Sequence, residues 1–212
     1  MVDTLLFDSM LSALPFHSRL VMVGGSDQLP SVGAGNVLHD LIRSDILPSI
    51  KLDTIFRQAA ESMIVTNAHD IVNGEYPYLE SKDNYFFFLP RNTEAECCSA
   101  VCQLCEKRLP KAYGFSPLWD IQVLCPSRKG EAGTVNINKL LQHAINPPAK
   151  HKREHLFGQR IFREGDKLMQ TKNNYNIPWT GNEKDGLGVF NGDIGLLEKI
   201  DEPAHLLYVR YD

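Results

Sequence analysis

Apolar positions along this chain recur with two different periods, and the period changes after residue 150. In "VDTLLFDSMLSAL", Leu5, Leu6, Leu11 and Leu14 fall near helical spacing ahead of Pro15, which predicts a helix. "RLVMVG" is short and continuously apolar, as a buried strand would be. "GNVLHDLIRSD" predicts a second helix with Val37, Leu38, Leu41 and Ile42 turned inward. "PSIKL" reads as a strand, and "IFRQAAESMIVTNAHDIVNG" as a helix ending near Gly74. "NYFFFLP" is an apolar strand closed by Pro90. Thr93 followed by Glu96 forms a capping box that opens the next helix. "DIQVLCP" is a strand and "GTVNINKLLQHAIN" a helix stopped by Pro147 and Pro148. Helices alternating with continuous apolar strands predict an α/β layer structure on a parallel sheet.

From "GDKLMQ" to "LLYVRYD" the pattern becomes short strands and turn signals such as "NNYN" and "NGDIG". No helix of any length is predicted there, and a small β-barrel-like unit is. The 212 residues have room for one large domain or one and a half small ones. With 43% hydrophobic and 23% charged residues, the composition is that of an ordinary globular protein. No apolar run is long enough for a membrane span, and no signal peptide is visible, so the expected location is the cytoplasm. The net charge of −4 does not advertise nucleic-acid binding. One stretch runs against it: from Lys150 to Arg163, five cations stand against Glu154 alone. That marks a linker and a candidate phosphate-facing strip.

Four of the five cysteines crowd into "CCSAVCQLC". Cys102 and Cys105 have the spacing of half a zinc site, but no second pair completes it. Cys98, Cys102 and Cys105 share one helical stripe, where a thiol packs as a small hydrophobe. His151 and His155 sit four apart among charged neighbours and read as a solvated segment. No metal is expected.

The residues with chemistry to explain are in "VMVGGSDQLPSVGAGNVL", an apolar run entering a glycine-studded turn. A dinucleotide fingerprint fails, because Gly33 and Gly35 are followed by Asn36, Val37 and Leu38. A plain strand-to-helix connection remains open. So does a loop at the carboxyl end of a parallel strand that presents the neutral amide of Gln28 to a nucleotide.

"VGGSDQLPSVGAGNVL" resembles motif III of the superfamily 1 DNA helicases, in the form found in the RecD-like family that includes the exodeoxyribonuclease V alpha subunit. "MVDTLLFDSML" resembles the segment following that family's Walker B carboxylates, and "LDTIFRQAAESMIVTNAHDI" its motif IV. "DIQVLCPSRKGEAGTVNINKLLQHAINP" resembles the next strand-turn-helix, and "GDKLMQTKNNYN" with "VFNGDIG" the SH3-like insertion called domain 2B. The resemblance implies partial RecA-like parallel-sheet motor domains with a small SH3-like β-barrel insertion. Residues 1–50 would end the first motor domain, 51–150 would belong to the second, and 151–212 would be the insertion.

The resemblance places Gln28 and Arg57 at the γ-phosphate of ATP, as catalytic and nucleotide-binding residues. Their ordinary alternatives are a turn cap before Pro30 and a surface pair with Glu61. Lys129, Gly133, Thr134 and Asn138 would meet the backbone of single-stranded DNA at a helix start, although Thr134 also suits an N-cap. Asn173, Asn174, Tyr175 and Asn191 would contact the strand by stacking and amide bonds, although turn chemistry also favours asparagine.

Two departures are visible. Gly25 stands where the family has an aspartate, and no Gly-Lys dipeptide or strand-ending Asp-Glu pair supplies the Walker A and B groups. The chain is therefore expected to be an internal piece of an ATP-dependent 5′-to-3′ DNA helicase acting in unwinding and recombination repair. ATP and magnesium would bind only in the complete helicase, and the piece alone would be inactive. Its partners would be single-stranded DNA and other helicase–nuclease subunits, with no membrane. The alternative is a non-catalytic module, derived from such a helicase, that binds single-stranded DNA or protein. A nucleotide-dependent oxidoreductase is disfavoured by the missing fingerprint.

Overall fold

The computed structural model describes residues 2–52, 62–80, 85–181 and 184–211. The chain divides into two compact units, Met1–Leu89 and Pro90–Asp212.

In the first unit, α1 spans Thr4–Ala13 and begins because the Asp3 carboxylate accepts the N–H of Leu6 at 2.8 Å. It stops one residue short of Pro15, with Leu14 already extended. Helix α2 (Val37–Ser44) closes on Asp45 at φ 54°, a conformation that a short polar side chain tolerates. Helix α3 (Met63–Val72) ends at Asn73 and Gly74, the glycine at φ 79°. Its one fully buried side chain is polar. Asn67 donates to the carbonyl of Tyr78 at 3.0 Å and accepts from the Tyr78 N–H at 2.8 Å, serving that backbone as a neighbouring strand would.

The parallel sheet expected from the apolar runs is not formed among the described residues. Among the described residues, "RLVMVG", "PSIKL", 85–90 and "DIQVLCP" enter no ladder, and every ladder present is antiparallel and lies beyond residue 153. A parallel strand needs a second strand brought alongside through a crossover, and none of these runs has one. In the first run Val21 is 82% and Val23 93% exposed, whereas in the last Ile121, Val123 and Cys125 are half-buried.

In the second unit, α4 (Glu94–Gln103) opens on the expected box. Thr93 Oγ1 accepts from Glu96 N at 3.2 Å, while the Glu96 carboxylate turns back to Asn92 N at 3.0 Å, one residue earlier than the usual partner. The helix widens into a π turn at Leu104–Arg108 and continues as α5 (Leu109–Tyr113) to Gly114. Pro110 accounts for the widening, since its ring would clash with the carbonyl four residues back in an ordinary turn. Helix α6 (Thr134–Ile145) packs on α4 and the π turn. Cys98, Cys105 and Ile137 are buried in that layer. Burial pushes the thiols of Cys98, Cys102 and Cys105 up, which keeps them protonated and inert, as the apolar-stripe reading requires.

The seven strands that follow are β1 (Glu154–Phe157), β2 (Arg160–Arg163), β3 (Lys167–Met169), β4 (Asn174–Thr180), β5 (Asp185–Val189), β6 (Ile194–Asp201) and β7 (Leu206–Tyr211). They form three antiparallel sheets, β1–β2, β3–β6–β7 and β4–β5, around Val189, Leu197 and Ile200. The expected barrel is not closed. Closure would bond each strand on both sides, and among the described residues only β6 is so bonded.

Candidate nucleic-acid interface

The glycine loop does two things. The N–H of Gln28 closes a turn on the carbonyl of Gly25 at 3.3 Å. The Gln28 side chain is exposed and, among the described residues, makes no hydrogen bond, so backbone rather than the amide caps this turn. A Cβ on Gly25 would stand 3.1 Å from Gln28 Nε2 and 3.2 Å from its Cγ. Gly25 thus leaves the space against which Gln28 lies. Gly33 and Gly35 face the other way. Cβ atoms there would overlap the carboxylate of Asp3 and the hydroxyl of Thr4, and Gly35 also has φ 98°. Thr4 N donates to Ala34 O at 3.0 Å. What the loop holds, within this unit, is the start of α1.

Arg57, the other candidate at the nucleotide, lies outside the described residues. Among those described, no group of three His, Cys, Asp or Glu side chains could hold a metal ion.

The stretch leading into α6 is tightly folded. Thr134 N donates to Ser127 O at 3.1 Å, Val135 N to Arg128 O at 3.3 Å, and Asn136 and Ile137 N to Gly133 O. The cap residue is Gly133, not Thr134, and no side chain caps the helix. The first amides of α6 are thus already bonded to backbone carbonyls. A phosphate here would be met by side chains, with the helix dipole behind them. Lys129 is exposed in the loop before the helix, and Thr134 and Asn138, four residues apart, share a helix face at the entry. Gly133 is explained by packing: a Cβ would press into the backbone of Lys129, 2.6 Å from its carbonyl carbon. Helix α4 supports the loop through Glu94 Oε2, which accepts from Ala132 N at 3.0 Å, and Cys98 Sγ, which donates to Glu131 O at 3.3 Å.

Asn173, Asn174, Tyr175 and Asn191 come together where β4 leaves and β5 arrives. Asn191 N donates to Asn173 Oδ1 at 2.9 Å, and Asn176 N to Asn174 Oδ1 at 3.1 Å, so both asparagines carry turn bonds. Tyr175, at 66% exposure, meets Phe190 edge to face with centroids 5.6 Å apart. Phe190 was missed in the sequence; "VFNGDIG" shows an aromatic ahead of the turn, but its partner only becomes visible once β4 and β5 pair. Two adjacent exposed rings are the kind of surface on which bases stack.

Part of the basic stretch is bonded to the protein itself. Arg163 is 6% exposed, donates from Nε to Glu154 at 2.6 Å and from Nη1 to the carbonyl of Asn146 at 2.6 Å. Arg153 Nη1 reaches Ile200 O at 2.9 Å, and Lys152 bonds the side-chain oxygen of Asn146. Three of five cations in the candidate strip carry such bonds, although Arg153 stays exposed; Lys150 and Arg160 are exposed and, among the described residues, unpaired. Charge density in a sequence does not say which way a guanidinium points.

Known proteins resemble the chain along nearly its whole length. The family model for the ATP-dependent RecD-like DNA helicase SH3 domain matches residues 137–211, and that for an AAA domain matches residues 1–85. The ATP-dependent RecD2 DNA helicase of Deinococcus radiodurans is 34% identical over 201 residues, 95% of this chain and 25% of that protein. The chain spans about a quarter of the length of this curated relative. Matched by a RecD-like model across its strands and by a RecD2 helicase over 95% of its length, the chain belongs to the RecD-like DNA helicase family.

Proposed function

We propose that this chain works as part of an ATP-dependent 5′-to-3′ DNA helicase in DNA unwinding and recombination repair, in the cytoplasm, with single-stranded DNA held against the second unit. Residues 1–50 then end a first RecA-like motor domain, 51–150 belong to the second, and 151–212 are the SH3-like insertion. Gln28 lies at the γ-phosphate, where an amide orients a phosphate oxygen or a water without adding negative charge. Arg57 comes from the second domain, its charged fork suited to two phosphate oxygens. ATP and magnesium belong to the complete helicase, and this chain alone turns over no ATP above background. Further helicase–nuclease subunits are compatible partners.

The observation that carries the DNA reading is the pairing, in one unit, of two different grips. Lys129, Thr134 and Asn138 at the start of α6 supply a cation and neutral donors for phosphates. Tyr175 and Phe190, flanked by Asn174 and Asn191, supply exposed rings for bases. The alternative, a non-catalytic strand-binding module, is supported by the same two clusters.

Fluorescence anisotropy on labelled oligonucleotides at several salt concentrations tests the reading. Binding should prefer single strands, ignore sequence and weaken with salt. Lys129→Ala should lower the log–log salt slope by roughly 0.7. Tyr175→Ala should cost about 1–3 kcal/mol at unchanged slope. Equal affinity for single and double strands, or no effect of either change, would remove the reading. Steady-state phosphate release separates the two alternatives when the same measurement is made on the parent protein.

A further inference from the structure

We propose that the turn Arg163–Asp166 is a positioning clamp that makes α6 and the β unit one rigid body, so that the grips at Lys129, Thr134 and Asn138 and at Tyr175 and Asn191 hold one DNA strand together; this rests on the single-strand reading above. The turn bonds every element around it. Asp166 is 8% exposed, and its carboxylate accepts from Gln142 Nε2 at 2.6 Å, Asn146 Nδ2 at 2.8 Å and Arg163 N at 2.7 Å. Arg163 covers the carbonyl of Asn146, the residue that ends α6. Glu164 accepts from Arg153 N at 3.0 Å and from Ile200 N at 2.9 Å, which ties the β1–β2 hairpin and β6 to the same turn. Gly165, at φ 92°, lets Asn146 lie against the backbone, where a Cβ would come within 3.1 Å of its side chain.

These bonds are directional, and no buried side-chain polar atom among the described residues is left unpaired. An apolar contact would hold α6 to the strands without fixing their angle; a satisfied polar cluster fixes both. The matched SH3 family model begins at residue 137, inside α6, so the helix travels with the strands as a unit of sequence too. The other end of α6 carries Thr134. One helix thus has a DNA-facing entry and an exit locked into the β unit. Loosening the exit would leave both grips intact but free the angle between helix and strands, which the remaining bonds from Gln142 to Ile161 and from Arg163 to Asn146 hold less firmly. The second contact would then form at a lower effective concentration.

Asp166→Ala in the full 212-residue chain is the test, with Gln142→Ala as a milder variant that removes only the bonds to Asp166 and Ile161. Fluorescein-labelled oligothymidylates of increasing length are the probes. The native chain should gain about a hundredfold in affinity once a strand reaches both grips. Asp166→Ala should lose most of that gain while binding the shortest strands within about twofold of native. A general loss of stability would instead weaken short and long strands alike, and that result overturns the clamp. Hydrogen exchange supplies a readout free of DNA. Leu141 and Gln142 in α6 should exchange in step with Leu197 and Ile200 in β6 in the native chain, and part by about tenfold in either variant. Unmatched exchange in the native chain, or matched exchange in a folded Asp166→Ala, overturns the proposal. Matched exchange with no binding to any strand overturns the strand reading and, with it, the clamp's purpose.

Discussion

Replacing Arg163 with alanine decides whether the basic stretch faces a phosphate or the protein's own interior. The guanidinium side chain is 7% exposed and makes two short charge-assisted bonds, to Glu154 Oε1 at 2.6 Å and to Asn146 O at 2.6 Å. Such bonds contribute about 1.5–3 kcal/mol each. The Glu154 side chain is 38% exposed and regains water when its partner leaves, so that bond belongs at the lower end. Asn146 is 5% exposed, and its stranded carbonyl carries the desolvation cost of about 1–3 kcal/mol. Together these give a loss of roughly 3–5 kcal/mol, the scale for breaking a buried ionic contact from one side. Urea unfolding followed by tryptophan emission suits the measurement, since Trp119 and Trp179 both belong to the second unit. With a slope of about 2 kcal/mol per molar urea, the midpoint should fall by roughly 2 M. Arg160→Ala, at an exposed position, should move stability by less than about 0.5 kcal/mol and register only in the salt dependence of DNA binding. An Arg163→Ala midpoint within about 0.2 M of native would refute the argument, and a fall of the Arg160→Ala midpoint to match would show the two arginines to be equivalent.

Gly35→Ala should destabilise α1, because φ 98° and the Thr4 hydroxyl both oppose a Cβ; the cost is about 1–3 kcal/mol, read as faster hydrogen exchange over residues 4–13, and unchanged exchange would remove the clasp. The N–H groups of Arg153 and Ile200 hold the Glu164 carboxyl below its ordinary value of 4.5. A folded-state value below the unfolded one contributes stability that is complete above the ordinary value and is lost as pH falls through the depressed one. Glu164→Gln should therefore shrink the difference in melting temperature between pH 7 and about pH 3, and an undiminished difference would assign the acid lability elsewhere. In the complete helicase, Arg57→Ala should reduce ATP turnover about a thousandfold; near-normal turnover would remove Arg57 from the nucleotide.

Local signals in the sequence were sufficient wherever a structure is decided by neighbours along the chain. The stop of α1 before Pro15, the Thr93–Glu96 box, the end of α3 at Gly74 and the stop of α6 before Pro147 are each set by a missing N–H, a side-chain cap or a permitted positive φ within four residues. The cysteine stripe was legible for the same reason, since helical spacing alone puts Cys98 and Cys105 on one face. The ladders were not. Whether "RLVMVG" or "DIQVLCP" enters a sheet depends on a partner strand brought from far along the chain, and apolar content is blind to that partner. The candidate site divides along the same line. Sequence pointed to Gln28, to the entry of α6 and to the asparagines around Tyr175. Tertiary structure alone decided that Gly33 and Gly35 clasp α1, that Phe190 joins Tyr175, and that Arg163 points inward to Asn146 and Glu154 while Arg160 stays in water. Composition fixes how many charges a stretch carries, but their direction follows from which buried acceptors the fold leaves in need of a donor.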